Sequence, residues 1–188
     1  MRRFMTVLLA ATLAFAPSAA AQNVPLRDGF WIGLGLGAGS LGFGGDVSGV
    51  DRETGLSGYL KLGATVSQHF LLGAETNGWT KSESGVSTRV GSLSAVGYVY
   101  PSSTSGFFLK GGLGYLAISD NANVQSTASG VAAQLGLGYD FRVGGNFSLT
   151  PYANYIASSG AELKVGGTGA GGDINPNVLQ FGLGVTWH

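Results

Sequence analysis

Cysteine is absent from the 188 residues, which excludes disulfide staples, thiolate metal sites and a cysteine nucleophile. Charge is scarce as well: 11% of side chains are charged, and 10 basic residues balance 10 acidic ones. So mild a balance gives no reason to expect nucleic acid or an anionic surface as partner. There are only 5 prolines and no Gly-x-y period, which excludes collagen. After residue 16 no apolar run reaches the roughly 18 residues that a membrane-spanning helix needs. What is plentiful is glycine, 34 residues, beside a 44% hydrophobic share. A disordered glycine-rich chain lacks that much apolar material.

The first residues have three parts. Met1-Arg2-Arg3 is positive, Phe4 to Ala16 is almost wholly apolar, and Ser18 to Gln22 is small-residue ground. This is the layout of a secretory signal peptide, and it predicts cleavage after Ala21, leaving residues 22–188 as one domain. Losing Arg2 and Arg3 leaves 8 basic against 10 acidic side chains, a net charge of about −2. No acylation cysteine lies near the cleavage point, so a lipid-anchored product is not expected.

Beyond the leader the dominant signal has period two. Phe30 onward sets Ile32, Leu34, Leu36 and Ala38 on one face and Gly33, Gly35, Gly37 and Gly39 on the other. A helix would mix these faces, whereas a strand separates them. The pattern returns over Leu56–Val66, Phe70–Trp79, Val90–Tyr100, Phe107–Ile118, Val131–Phe141, Phe147–Ile156 and Leu179–His188. Eight segments of this length suit tilted strands crossing a bilayer, about 9 to 11 residues each. The intervening stretches alternate in length. Residues 67–69, 101–106 and 142–146 make short turns, while 40–55, 80–89, 119–129 and 157–177 are expected as long loops, with residues 166–172 the most mobile. Short periplasmic turns, long outer loops and periplasmic termini follow for an eight-stranded antiparallel up-and-down barrel.

The phase of the charges decides what faces lipid. Lys61, Glu75, Lys110 and Asp140 all fall on the glycine face, opposite the leucines. A soluble lipocalin-type barrel would have the reverse arrangement, with its apolar face enclosing a ligand. A lysine on the lipid face near the midplane would be destabilising by about 2 to 4 kcal/mol. The glycine face therefore lines the lumen. Lys61, Glu75 and Lys110 are expected to form an interior ion cluster, with packing rather than an open channel in the lumen. Trp31, Trp79, Tyr139 and Trp187 flank the apolar band and are expected as an interfacial girdle.

Taken together, Phe30-Trp31-Ile32-Gly33-Leu34-Gly35, Leu71-Leu72-Gly73-Ala74-Glu75 and Phe181-Gly182-Leu183-Gly184-Val185-Thr186-Trp187 resemble the outer-membrane β-barrel domain family that includes the barrel half of outer-membrane protein A and its small relatives. The resemblance covers nearly all of the chain after the leader. It implies a bacterial outer-membrane protein in contact with outer-membrane lipids, handled in biogenesis by periplasmic chaperones and the barrel-assembly machinery. In that family the last strand carries an assembly signal, which maps here to Phe181, Leu183, Val185 and Trp187. Trp187 is penultimate, where the family usually ends on an aromatic residue. With the chain ending at His188, no peptidoglycan tether is expected. Members serve variously as scaffolds, adhesins, resistance factors and phage receptors, so fold alone does not fix the role.

The chemistry-bearing residues argue for binding or structure over catalysis. A lipid-modifying enzyme needs a base near the outer leaflet, and histidine is the usual one. His69 and His188 both fall at the expected periplasmic ends. Gly37-x-Gly39-x-x-Gly42 spells a dinucleotide fingerprint but opens no helix. The two Gly-Gly-Asp triplets at 44–46 and 171–173 do not recur in series, as calcium repeats would. The expectation is a non-enzymatic, monomeric integral outer-membrane protein with no cofactor and no metal, doing envelope-structural or surface-interaction work for an unidentified extracellular ligand. A lipid-modifying enzyme or a narrow passive channel is the alternative.

Overall fold

The computed structural model describes residues 27–45, 51–83, 85–120, 126–165 and 168–188; the expected leader lies outside them. Nine strands follow in chain order: β1 (Phe30–Gly45), β2 (Glu53–Ser67), β3 (Phe70–Glu83), β4 (Val86–Val99), β5 (Phe107–Asp120), β6 (Ser126–Tyr139), β7 (Phe141–Gly144), β8 (Phe147–Val165) and β9 (Thr168–Trp187). All pairings are antiparallel between neighbours, β1 pairs with both β2 and β9, and β8 pairs with both β6 and β7. The short β7 continues the line of β6 after a break at Asp140 and shares its partner. The closed sheet is thus an eight-stranded barrel, as the alternation required.

Closure removes sheet edges and pairs the backbone internally, which a strand protein in lipid must achieve. The outward positions are apolar and uncovered: Leu36 is 65% exposed and Leu113 69%. So continuous an apolar surface is foreign to a soluble protein and suits hydrocarbon.

The strands run further than the sequence pattern suggested. Most of the expected long loops are strand, because β1 continues to Gly45, β3 and β4 meet near residue 84, and β9 begins at Thr168. Residues 166 and 167 lie outside the described residues, but Thr168 and Gly169 are paired with Val165 and Lys164. The physical reason is that ladder hydrogen bonds do not stop where the apolar band stops. Ser87 and Thr127 stay in the ladder and keep polar outward faces. The barrel therefore projects past its apolar band at the end away from the termini, called here the distal end.

Two members of the expected girdle are elsewhere. Trp31 and Trp79 face the lumen and are 1% and 2% exposed. Their parity explains this, since Trp31 shares the phase of Gly33, and Trp79 that of Glu75 and Asn77. Tyr139 is half-buried against Phe141, ring centroids 4.5 Å apart, and Trp187 is on the outer surface.

Candidate functional site

The lumen collects the buried charged and polar side chains, and it is organised in levels. At the end near the termini, Asp140 is held at the break between β6 and β7. Tyr100 Oη donates to its Oδ2 at 2.7 Å and Thr150 Oγ1 to its Oδ1 at 2.6 Å, while His188 Nε2 lies 3.7 Å from Oδ2. Arg27, just before β1, closes this end. Its guanidinium stacks 3.6 Å from the Tyr100 ring centroid and donates to the carbonyls of Gln68 and Ser105. A planar cation both stacks and hydrogen-bonds here, which an ammonium cannot do as well.

Above this level lies an aromatic layer of Trp31, Tyr98, Tyr100 and Phe108 with Leu71 and Val96. Trp31 meets Tyr98 edge-on at 5.2 Å between centroids, and Tyr98 meets Phe108 at 5.4 Å. Lys61 Nζ stands 5.0 to 5.8 Å from the rings of Trp31, Tyr59, Tyr98 and Phe108. Cation–π attraction strengthens when the site is dry.

Glu75 is the centre of the next level. Lys110 Nζ donates to both carboxylate oxygens, at 2.5 and 2.7 Å, and Tyr98 Oη and Asn77 Nδ2 donate to it as well. Asn77 also donates to Gln134 Oε1 at 3.1 Å. The expected three-membered ion cluster is therefore a pair plus a neighbour. Lys61 stands directly opposite Glu75 in the β2–β3 register, yet no ion pair joins them among the described residues. Lys110, two strands away from Glu75, reaches it across the narrow bore.

The inward glycines are where the large rings lie flat. A Cβ on Gly35 would run into the Tyr59 ring, and one on Gly63 would meet Trp31 Cζ2 at 2.5 Å. Tyr59 and Tyr152 meet edge-on at 4.7 Å and fill the middle of the lumen. An eight-stranded barrel has just enough interior for such filling.

The distal level is apolar: Leu41, Trp79, Val90, Leu116, Ala132, Ile156 and Val178 form a buried cluster inside the barrel. Trp79 satisfies its indole N–H on the Gly39 carbonyl at 2.9 Å. Beyond this floor a cavity of about 220 Å³ opens, bordered by Phe43, Ile118, Ala128 and Ile174 and rimmed by Glu53, Thr88, Asp120, Ser126 and Thr127. Nearby, past the apolar band, Lys81 Nζ bonds Glu83 at 2.6 Å and lies 3.7 Å from Glu53. The hydrogen bond with Glu83 holds the Lys81 ammonium above its ordinary pKa and keeps the Glu83 carboxyl below its own.

Lys61, Glu75, Lys110 and Asp140 are thus all buried on the lumen side, but Asp140 belongs to the end near the termini and not to the Glu75 network. Phe181, Leu183, Val185 and Trp187 stand in a row on the outer face of β9, each at least a third exposed. Sequence reasoning missed Arg27, which precedes the alternation, and the distal apolar floor. The floor could have been found, because Leu41, Val90 and Leu116 break the polar phase of their strands. Among the described residues no group of histidine and carboxylate side chains is arranged to hold a metal ion.

Geometry and comparison agree on the family. The model of the outer membrane protein beta-barrel domain family matches residues 6–186. The chain belongs to that family. Solved structures with the same fold include Neisserial surface protein A, at 13% identity and a TM-score of 0.60 over 84% of this chain and 96% of that one. The attachment invasion locus protein Ail of Yersinia pestis matches at 13% identity and 0.57, over 86% and 100%. The outer membrane protein OprG of Pseudomonas aeruginosa matches at 10% identity and 0.50, over 88% and 100%. Ail has also been solved in complex with the heparin analogue sucrose octasulfate. These identities carry the fold and nothing finer. No curated protein sequence matches this chain. As a member of this family the chain is a bacterial outer-membrane barrel.

Proposed function

We propose that this barrel is a non-enzymatic, non-conducting outer-membrane protein whose work is envelope-structural and surface interaction. The observation that carries the reading is the filled lumen. Arg27 and Tyr100 close one end, the aromatic layer and the Glu75–Lys110 pair fill the middle, and Leu41, Trp79 and Leu116 seal the distal part. A transport path would have to break at least one of these levels. Against catalysis, His69 lies exposed in the β2–β3 turn and His188 is buried beside Asp140, so both are remote from the distal end.

In this reading the termini face the periplasm and the distal end faces outward, where its residues contact other molecules. Among the described side chains, that end carries Asp51, Glu53, Glu83 and Asp120 beside Arg52, Lys81 and Arg89. The outward row Phe181, Leu183, Val185 and Trp187 serves the barrel-assembly machinery as the last-strand signal, and the protein works as a monomer among outer-membrane lipids.

The test is a deletion strain compared with its parent. The reading expects greater sensitivity of the envelope to detergent and an unchanged mass spectrum of outer-leaflet lipid. A lipid species that disappears on deletion and returns with the wild-type gene would overturn it in favour of an enzyme.

A further inference from the structure

Two kinds of glycine line the strands. Those facing the lumen make room for rings, as Gly35 does for Tyr59 and Gly63 for Trp31. Gly78 on β3 and Gly91 on β4 instead face outward, are partners in the β3–β4 register, and have nothing within 4 Å of where a Cβ would stand. Neither has a positive φ, and the register has no bulge there. The barrel itself therefore does not require glycine at these positions, although glycine in a strand interior is destabilising. Such a glycine points to the close approach of another molecule.

Gly58 on β2 stands opposite Gly78 and extends the row. The three glycines floor an outer groove of about 750 Å³, walled by Leu34, Leu36, Leu56 and Leu60. Elsewhere on the apolar band hydrocarbon meets side chains such as Leu113 and Leu135, 69% and 66% exposed. Here it can lie against the backbone.

Arg89 borders the same groove. It is the next outward residue after Gly91 on the distal side, is exposed, and makes no hydrogen bond or ion pair among the described residues. Arg52, just before β2, lies across Gly42 of β1 and is held there by Ser40 and Asn177. The acids of this end are engaged elsewhere: Glu83 bonds Lys81, Glu53 faces it, and Asp120 lines the distal cavity. Two arginines with no ion-paired carboxylate among the described residues thus stand just past the apolar band of β1 to β4. A guanidinium matches a pair of phosphate oxygens bidentately.

We propose that the β1–β4 face holds one phosphate-bearing lipid of the outer leaflet, with an acyl chain laid along Gly58, Gly78 and Gly91 and its phosphate on Arg89. Arg52 adds positive potential at the same end of the face. This deepens the surface-interaction reading and rests on it for the leaflet that supplies the lipid. The contact chemistry does not depend on that direction.

The experiment uses the full mature chain in dodecyl maltoside micelles, which carry no phosphate. It is titrated with bisphosphorylated lipid A, with the same lipid A after enzymatic removal of its phosphates, and with inorganic phosphate. Binding is read from backbone amide shifts at Thr76, Thr80 and Leu93. The phosphorylated lipid is expected to saturate, the dephosphorylated one to bind about tenfold more weakly, and inorganic phosphate not to saturate. Gly78→Leu with Gly91→Leu fills the groove from outside; it should keep the compact, heat-modifiable band and abolish saturation by either lipid. Arg89→Gln should lower binding of the phosphorylated lipid to that of the dephosphorylated one and leave the latter unchanged, with Arg89→Lys between. If the leucine pair does not assemble, Arg89→Gln alone decides. Equal binding of the two lipids by the wild-type chain would overturn the proposal, as would saturation that survives the leucine pair. The orientation fails separately, if Val86→Cys on intact cells is not labelled by a membrane-impermeant maleimide.

Discussion

The two halves of the lumen solve the same filling problem with opposite chemistry. Near the termini the bore is packed with charges, hydroxyls and rings that hold one another through short hydrogen bonds, as at Glu75 and Asp140. In the distal half it is packed with Leu41, Trp79, Val90, Leu116 and Ile156, like the interior of a soluble protein turned inside a membrane barrel. The polar half is specified by direction, since each donor has a particular acceptor. The apolar half is specified by shape. The difference predicts different responses to damage.

The largest effect should come from Glu75→Ala. It strands Lys110, and leaves Lys61 with no carboxylate across its strand pair, so a loss of about 3 to 5 kcal/mol is expected. Loss of the compact, heat-modifiable band on gels at a lower temperature than wild type would register it; an unchanged transition would break the account of the polar half. Leu116→Ala removes packing without stranding a charge. It should be destabilising by about 2 to 3 kcal/mol through the cavity it leaves, and should add to Glu75→Ala because the two sites share no partner.

Gly35 and Gly78 sharpen the contrast between inside and outside. Gly35→Ala drives a methyl group into Tyr59 and should be destabilising by about 1 to 3 kcal/mol. Gly78 has nothing within 4 Å of where its Cβ would stand, so Gly78→Ala should change the melting transition by less than about 0.5 kcal/mol. Glu75→Leu combined with Lys110→Met should cost less than Glu75→Ala alone, because no Lys110 ammonium is left stranded, although Tyr98, Asn77 and Lys61 still lose their carboxylate. A double variant as weak as Glu75→Ala would show that Tyr98 and Asn77, not the charges, hold that level.

Much of this was readable from parity. The leucine rows, the lumen position of the four charges and the closing strand all follow from period two. Trp31 and Trp79 were equally readable, since their phase is inward; the habit of placing tryptophan at an interface misdirected the expectation. Which lysine takes Glu75 was not readable. Lys61 is opposite in register, but the bore is narrow enough for Lys110 to cross it, and only the closed geometry shows that. Arg27 lies outside any alternating segment, so nothing in the pattern marked it. The distal cavity was hidden because its walls come from stretches whose composition resembles loops.

The claim on which the rest depends is that the lumen is closed, and single-channel recording in a planar bilayer tests it most directly. The purified mature chain should insert and give no steady conductance steps at neutral pH. Reproducible steps that persist in the wild-type protein would contradict the closed lumen and favour a narrow channel.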